Sequence, residues 1–318
     1  MSVTEAHSTP GTFAHPALFY GDEQEYLAGT LPFVRDALVA GRPVAVAVPA
    51  ENLRLIRDGL GADADADAVR FMDMREVGRN PGRIIPAVLR AFADVQPLGT
   101  RVSIIGEPIW AGRTATEYPA CVQHEALINE AFRGADAAIL CPYDIRRLGP
   151  QVITDAYATH PTVVRADSGR QEDSAAYAPA DVVARYNRPL PPAPPDVPYF
   201  RFTEGSLSDT RHLAVGEAAR LGLMSPRRDD MALVTAELIT NSVVHGGGSG
   251  SFAVWSEDGY VVCEVRDQGH LADPLAGRRP VPREQRGGRG LLMVNLIADL
   301  VRVHTGPAGT TIRCWFAL

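Results

Sequence analysis

Glu237 and Asn241 are the side chains best suited to chemistry, because they stand four residues apart in the segment DDMALVTAELITNSVVH. At helical spacing, residues four apart share one face. A carboxamide oxygen suits a hydrated magnesium ion, and a carboxylate can deprotonate a hydroxyl or a water. Taken alone, the segment is more typical of the exposed polar face of an amphipathic helix. Its apolar residues predict a core-facing side formed by Leu233, Leu238, Ile239 and Val243.

A second chemical feature is the apolar run VVCEVRDQG, which ends on Asp267 and is followed by Gly269. A carboxylate at the end of a strand can accept a hydrogen bond from the exocyclic amine of adenine. Asp followed closely by Gly is also an ordinary turn signal, and taken alone this segment favours the turn interpretation.

A third feature is the glycine-rich stretch GGRGLL at residues 287–292, placed before a predicted helix. Glycines let backbone N–H groups approach phosphate oxygens, and a helix N-terminus adds positive potential. The stretch lacks the lysine and the Ser/Thr of a Walker loop, and no strand directly precedes it as the dinucleotide motif requires. Glycine-rich helix starts also occur without a ligand.

The elements that position these residues follow a proline-rich stretch, RPLPPAPPDVP at residues 188–198, which predicts an extended spacer. After it, the pattern predicts two helices, a pair of strands, a third helix and two final strands. The predicted bounds are 208–221 and 226–245 for the first two helices, 251–257 and 259–267 for the paired strands, and 291–300 for the third helix. This order indicates an α+β domain with helices on one face of a sheet.

Before the spacer, strand-like and helix-like segments alternate, which predicts an α/β domain with a mainly parallel sheet. Short apolar runs predict strands, and segments with helical spacing of apolar residues predict helices. The strands are expected at 43–49, 102–105 and 137–141, and the helices at 51–60 and 83–93. Residues 166–179 are polar and predict a connection, with a short helix at 181–186.

The composition excludes several classes of protein. The chain has 318 residues, enough for two domains, and its net charge of −7 gives no general reason to bind nucleic acid. No apolar run or basic leader predicts a membrane span or a secretory signal. Four cysteines are scattered without a CxxC pair, which favours a cytoplasmic location and buried thiols over disulfides or a structural metal.

Taken in order, the three C-terminal features resemble the GHKL ATPases, which have the Bergerat fold. The run ELITNSVVHG from Glu237 matches the N box, Asp267-Gln268-Gly269 the first glycine box, and Gly288-Arg289-Gly290-Leu291 the second. The resemblance covers residues 200–318 and implies ATP and Mg²⁺ as cofactors within an α+β sandwich. The contacts it implies come from Asn241, also the metal ligand, and from His245, Asp267, Gly269, Gly288, Arg289, Gly290, Leu291 and Thr310.

Within that family, the short domain is most similar to the anti-sigma factor serine kinases. Members phosphorylate a serine on a STAS-type anti-anti-sigma protein and sequester a sigma factor, so the resemblance implies these partners and a role in transcription regulation. It makes Glu237 the catalytic base and Thr310 the support of the adenine-binding Asp267. The sequence departs from the family's DxGxG pattern, because Leu271 stands where the second glycine would be.

The N-terminal half resembles the MEDS sensory domain over residues 14–163, through HPALFY at His15 and the run beginning RVSIIGEPIW at Arg101. That family implies a RecA/KaiC-like parallel sheet without a Walker A loop. The candidate ligand contacts are His15, Tyr20, Glu107, Trp110, Arg113 and Glu125, with His124, Tyr143 and Asp144 as further candidates. A salt-bridge network among Glu107, Arg113 and Glu125 is an equally good interpretation, and residues 164–199 are the expected linker.

The sequence therefore predicts a signalling regulator in which a sensory domain controls an ATP-dependent serine/threonine kinase, with homodimer formation open. One alternative is a switch that binds ATP and a protein partner without transferring phosphate. Another is an orphan histidine kinase-like ATPase, although no long helical hairpin surrounds His212 to present it as a phospho-acceptor.

Overall fold

Strands and helices alternate through the first half of the chain, as the apolar runs predict. The computed structural model describes residues 12–61, 68–281 and 288–318. It contains two units: one holds the described residues up to Arg79 together with Ile84–Tyr186, and the other holds Asn80–Arg83 together with Asn187–Leu318.

Seven strands of the first unit form one sheet in the order β3-β2-β4-β5-β1-β6-β7. All neighbours are parallel except β6 and β7, which are antiparallel. The strands are β1 (Pro16–Tyr20), β2 (Val44–Val48), β3 (Val69–Asp73), β4 (Val102–Gly106), β5 (Ala137–Asp144), β6 (Thr162–Arg165) and β7 (Arg170–Asp173). The central strands read as continuous apolar runs because helices cover both faces of a parallel sheet.

The helices of this unit lie between the strands. They are α1 (Glu23–Val39), α2 (Ala50–Leu60), α3 (Met74–Val77), α4 (Arg90–Ala93), α5 (Tyr118–Ala131), α6 (Pro150–Thr159) and α7 (Pro179–Tyr186). The helix predicted at 83–93 is divided into a π-helical turn, Ile85–Leu89, and α4. Pro86 lies in that turn and cannot donate an α-helical hydrogen bond, which accounts for the irregularity.

The polar connection predicted at 166–179 contains a strand that the sequence pattern did not indicate. Strand β7 pairs antiparallel with β6, and Gly169 adopts a φ of 62° at the turn between them. The strand was missed because its residues, RQED, are almost all exposed at the edge of the sheet and show no apolar alternation.

The second unit is built on a five-stranded antiparallel sheet in the order β11-β12-β10-β9-β8. Its strands are β8 (Phe200–Thr203), β9 (Ser249–Glu257), β10 (Tyr260–Asp267), β11 (Leu300–Gly306) and β12 (Gly309–Ala317), and its helices are α8 (Leu207–Arg220), α9 (Arg227–His245) and α10 (Gly290–Ile297). The helices pack against one face of the sheet to form the core. On β10, the alternate residues Val261, Cys263 and Val265 belong to this core.

Two expectations for this unit are wrong. Leu233 is 41% exposed, and α9 instead buries Met231 and Val234 together with the predicted Leu238 and Ile239. The third helix ends at Ile297 rather than 300, because Ala298 is extended and Leu300 pairs with Trp315 at the start of β11.

The proline-rich stretch is bonded to the sheet of the second unit. Arg313, 3% exposed, donates to the Pro191 carbonyl at 2.6 Å and forms a buried ion pair with Glu264. Tyr199 donates to the same carboxylate at 2.8 Å. These contacts attach residues 187–199 to the face of the sheet opposite the helices. Within the described ranges, no single helix is both long enough and apolar enough to cross a bilayer.

Candidate functional site

Helix α9 presents Glu237 and Asn241 on one face, as their spacing predicts, and this face meets the start of α10. A Cβ placed on Gly290, the first residue of α10, would lie 2.6 Å from Glu237 Oε2 and 3.2 Å from Asn241 Nδ2. Only glycine fits between the two side chains without displacing them. The acid and the amide therefore lie beside backbone N–H groups at a helix N-terminus, where anions are favoured.

Asp267 ends β10, and its carboxylate is held by two hydrogen bonds. The backbone N–H of Gly269 donates to Oδ1 at 2.8 Å, and the Ser242 hydroxyl donates to Oδ2 at 2.6 Å. A carboxylate offers about four acceptor positions, so two remain for a ligand. The side chain is thus a fixed acceptor.

Thr310 lies directly opposite Asp267 in the β10–β12 register. Its hydroxyl donates to the Gly269 carbonyl at 2.9 Å and shares a hydrogen bond with Thr305 Oγ1, also at 2.9 Å. Thr310 therefore supports the turn that follows Asp267 rather than its carboxylate.

Gly246 and Gly309 bring backbone close to Asp267. A Cβ on Gly246 would lie 2.5 Å from Asp267 Cγ, and one on Gly309 would lie 2.0 Å from the Asp267 carbonyl oxygen. Gly309 also has a φ of 117°, which other residues rarely adopt. Both positions require glycine for the carboxylate to keep its place.

Several of these residues line a cavity of about 590 Å³, but Glu237, Ser242 and Gly309 do not. Eight of the sequence-predicted contacts line it: Asn241, His245, Asp267, Gly269, Gly288, Gly290, Leu291 and Thr310. Leu238 and Ile312 add apolar wall, and His245 is an exposed side chain at the C-terminal end of α9. Arg289 precedes α10 as its N-cap and does not line the cavity, while Gly287 lies outside the described residues.

The first unit has a separate cavity of about 780 Å³ at the carboxyl ends of β1, β2, β4 and β5. Tyr20, Glu107 and Trp110 line it, as does Asp144. Open parallel sheets bind ligands at this edge. Three of the six sensory candidates therefore come together there.

Glu107 is buried in this cavity, and the Asn52 amide donates to both its oxygens, at 3.0 and 2.8 Å. Burial raises the pKa of Glu107 to about 8, with Glu51 and Asp144 adding to the effect and the hydrogen bonds from Asn52 and Tyr26 opposing it. The neutral acid is therefore the favoured form at pH 7, and it can donate as well as accept.

Arg113 stabilises the loop after β4 instead of lining the cavity. Its guanidinium lies 3.9 Å from the Trp110 ring centroid and donates to the carbonyls of Gly78 and Pro108 at 2.7 and 3.0 Å. Its ion pair, at 2.9 Å, is with Glu117. The network suggested among Glu107, Arg113 and Glu125 is therefore wrong.

His15 and Glu125 lie apart from the cavity, in a fully buried cluster with Cys141 and His160. Burial, together with the proximity of His160, lowers the pKa of His15 to about 4, although Glu125 opposes this shift. Burial also raises the pKa of the Cys141 thiol well above its usual range.

Two regions of the chain match known families. Residues 14–161 match MEDS, described as the MEthanogen/methylotroph, DcmR Sensory domain, and residues 200–316 match the histidine kinase-like ATPase domain. Curated proteins provide no match to this chain. A MEDS domain precedes a histidine kinase-like ATPase domain. This combination suggests a signalling regulator.

An ATPase domain implies ATP binding, and the residues of the C-terminal cavity fit that substrate. Asp267 provides a fixed acceptor, Leu238 and Ile312 provide apolar surface, and Gly290 leaves the N-terminus of α10 open to phosphate oxygens. Magnesium is the typical counter-ion of such a substrate, and the Asn241 oxygen is of the type it prefers.

Sequence reasoning missed some residues of both sites. Ser242 follows Asn241 in the N box, but only the fold shows that its hydroxyl orients Asp267. Asn52 lies on α2 and meets Glu107 across 55 residues of sequence. No local sequence motif marks Cys141 or His160 as site residues, because the other members of their cluster come from distant segments.

Proposed function

We propose that this chain is a cytoplasmic signalling regulator whose C-terminal domain is an ATP-dependent serine/threonine kinase of the anti-sigma factor type. In this proposal the ATPase domain is a Bergerat sandwich, and the MEDS domain is a RecA/KaiC-like sheet without a phosphate loop. The observation that carries the activity is the position of Glu237 and Asn241 together against Gly290 at the start of α10.

Each residue then has a defined role. Asp267 accepts from the adenine amine, and the N–H groups at the start of α10 hold phosphate oxygens. Asn241 would hold Mg²⁺, which would neutralise phosphate charge. The partner's serine oxygen forms a bond to the γ-phosphorus, and the bond from that phosphorus to the β,γ-bridging oxygen breaks. ADP leaves with the electron pair, and Glu237 takes the hydroxyl proton.

Nucleotide binding is tested first with Asn241→Ala. We expect calorimetry to show that magnesium-dependent ATP binding by the full chain is lost. Thr240→Ala is the matched control, because Thr240 is the neighbouring exposed residue of α9. Unchanged ATP affinity in Asn241→Ala, with and without magnesium, would overturn the assignment of the metal ligand.

Phosphoryl transfer is tested separately with Glu237→Gln. Removing a general base costs about 10²- to 10⁴-fold in rate. ATP affinity should stay within a few-fold of the native value while transfer of labelled phosphate to a STAS-type partner is lost. Acid-stable label on the partner's serine supports the kinase, and acid-labile label on the chain itself favours a histidine kinase-like enzyme.

The alternative is a binding switch in which ATP organises a surface that captures a sigma factor or its antagonist. Leu271 favours it, because this side chain lines the cavity where the related motif has glycine, and its N–H is already donated to Thr305 Oγ1 at 3.0 Å. ATP-dependent capture of a partner without any transferred phosphate would support the switch.

The MEDS cavity is the proposed site of the sensed ligand. Its neutral Glu107 and the amide of Asn52 suit a small molecule that both donates and accepts hydrogen bonds. Trp110→Ala should weaken the response of ATP binding to that ligand. An unchanged response in both Trp110→Ala and Glu107→Gln would show that the signal enters elsewhere.

A further inference from the structure

Four potential metal ligands meet in the interior of the MEDS domain, and they form what we term the interior cluster: His15, Glu125, Cys141 and His160. They come from four separate segments. His15 precedes β1, Glu125 lies on α5, Cys141 lies on β5 and His160 follows α6. We propose that the interior cluster binds one divalent transition metal ion, and that its donor set selects zinc(II).

Three of the six ligand-to-ligand distances within the cluster match the edges of a tetrahedral centre. Glu125 Oε2 lies 3.3 Å from Nε2 of His15 and 3.3 Å from Nε2 of His160, and Cys141 Sγ lies 3.3 Å from His15 Nε2. Zinc bonds of about 2.0–2.1 Å to nitrogen or oxygen and about 2.3 Å to sulfur require ligand-to-ligand edges of about 3.3–3.6 Å. All four ligand atoms lie within 4.8 Å of one another.

The hydrogen bonds around the cluster fix both imidazoles in the form that a metal requires. His160 Nδ1 lies 2.9 Å from the Ala156 carbonyl, which can only accept, so this nitrogen carries the proton. His15 Nδ1 lies 3.2 Å from Asn129 Oδ1, and the Asn129 amide donates to the Thr159 carbonyl at 2.8 Å, which leaves its oxygen to accept. In its neutral form, each ring with Nδ1 protonated directs an Nε2 lone pair towards the cluster.

The lone pair of His160 Nε2 faces the Glu125 carboxylate, which is another acceptor, whereas that of His15 Nε2 also lies beside the Cys141 thiol. Both carboxylate oxygens of Glu125 and Nε2 of His160 are buried and make no hydrogen bond of acceptable geometry within the described ranges. Buried polar atoms in proteins are almost always satisfied, and a cation shared by these atoms would satisfy all of them at once. The side chains are at most 1% exposed, so bulk solvent does not reach them.

Zinc(II) also balances the charge. Binding replaces the proton of the Cys141 thiol, so that Cys–SH and Zn²⁺ give a zinc thiolate and one released proton. With the Glu125 carboxylate, the occupied site is neutral overall, as burial demands. Four protein ligands without an open position are typical of a structural rather than a catalytic zinc site. The metal would fasten β1, β5, α5 and the segment after α6 together.

The test measures metal in the purified full-length chain. We expect about one zinc per chain by elemental analysis, and cobalt(II) added in its place should give the visible absorption of a tetrahedral ion with a thiolate charge-transfer band. Cys141→Ser should lose the charge-transfer band and lower the zinc content at least about tenfold. Cys121→Ser is the matched control, because Cys121 is another buried cysteine of the same domain, and it should keep both signals.

A second measurement covers the case in which Cys141→Ser does not fold. The native chain is unfolded in chelator and refolded with and without zinc chloride, and zinc should raise the yield and the thermal midpoint of the MEDS domain. A native chain that takes up neither zinc nor cobalt during refolding, and refolds equally well without them, would overturn the proposal. Equal zinc content in the two cysteine variants would do the same. In that event, protons rather than a metal hold the cluster together.

Discussion

Replacing Asp267 with Asn changes one atom of the C-terminal cavity and tests which base it recognises. In the native chain both carboxylate oxygens already accept one hydrogen bond, from Gly269 N–H and from the Ser242 hydroxyl. In Asp267→Asn, the oxygen keeps the Gly269 bond, and the new amide nitrogen faces Ser242, whose hydroxyl can donate instead to the Leu238 carbonyl at 3.1 Å. The substitution therefore preserves the fold while placing a donor where the adenine amine also donates.

The lost interaction is a hydrogen bond to a charged acceptor, worth about 1.5–3 kcal/mol. At about 1.4 kcal/mol per tenfold change, ATP affinity should fall by about 10- to 150-fold. Inosine triphosphate carries an oxygen in place of the exocyclic amine, so its affinity should stay the same or rise. The ratio of ATP to inosine triphosphate affinity is therefore the decisive quantity, because a general weakening of the site would lower both.

Calorimetry with the two nucleotides, on the native chain and on the variant, provides that ratio. Asp273→Asn is the control, because Asp273 is a second carboxylate that lines the same cavity, and its oxygen accepts from Leu275 N–H. It removes the same charge and should leave the ratio unchanged. If Asp267→Asn keeps the native ratio within about twofold, the assignment of Asp267 as the base contact is refuted.

Two further predictions concern stability. Glu107 has a pKa of about 8 in the folded state and about 4.5 when unfolded, so the free energy of unfolding should fall as pH rises from about 4.5 to about 8. Urea unfolding at pH 6, 7 and 8 should show this fall, and Glu107→Gln should make it smaller. An equal fall in both proteins would contradict the raised pKa. Gly309→Ala should lower the free energy of unfolding by about 3 kcal/mol or more, because its φ of 117° is unfavourable for alanine and its Cβ would lie 2.0 Å from the Asp267 carbonyl. Gly306→Ala is the control, because Gly306 lies opposite Gly309 in the same hairpin and its added Cβ would come no nearer than 3.5 Å to His304. If urea denaturation shows equal losses of unfolding free energy in the two variants, the strain at Gly309 is absent.

The ATPase and sensory resemblances could be recognised from sequence because their motifs are local. Glu237 and Asn241 are one helical turn apart, so spacing alone places them on one face. The glycine at 290 was predicted to admit phosphate, and the fold adds that it is also the residue that fits between those two side chains. Strands such as Val44–Val48 were found because their apolar runs are continuous.

The remaining features depend on contacts between distant segments. The interior cluster joins residues from 15 to 160, and no local pattern indicates that Cys141 on β5 lies beside His15. The spacing of the cysteines along the chain argues against a metal, whereas the zinc proposal depends on contacts between distant segments that this spacing does not show. Strand β7 was hidden because edge strands need no apolar face.

The hydrogen bonds of Asn187 have a practical consequence for dissecting the protein. Asn187 pairs with the backbone of Thr305 through two hydrogen bonds, of 2.8 and 3.0 Å, and the Thr305 hydroxyl bonds in turn to Thr310 and to the N–H of Leu271 beside the cavity. A fragment cut at residue 200, where the family match begins, would discard that residue along with Pro191 and Tyr199, the partners of Arg313 and Glu264. Nucleotide affinities measured on such a fragment would describe a loosened version of the site, so the excised domain should begin at or before residue 187.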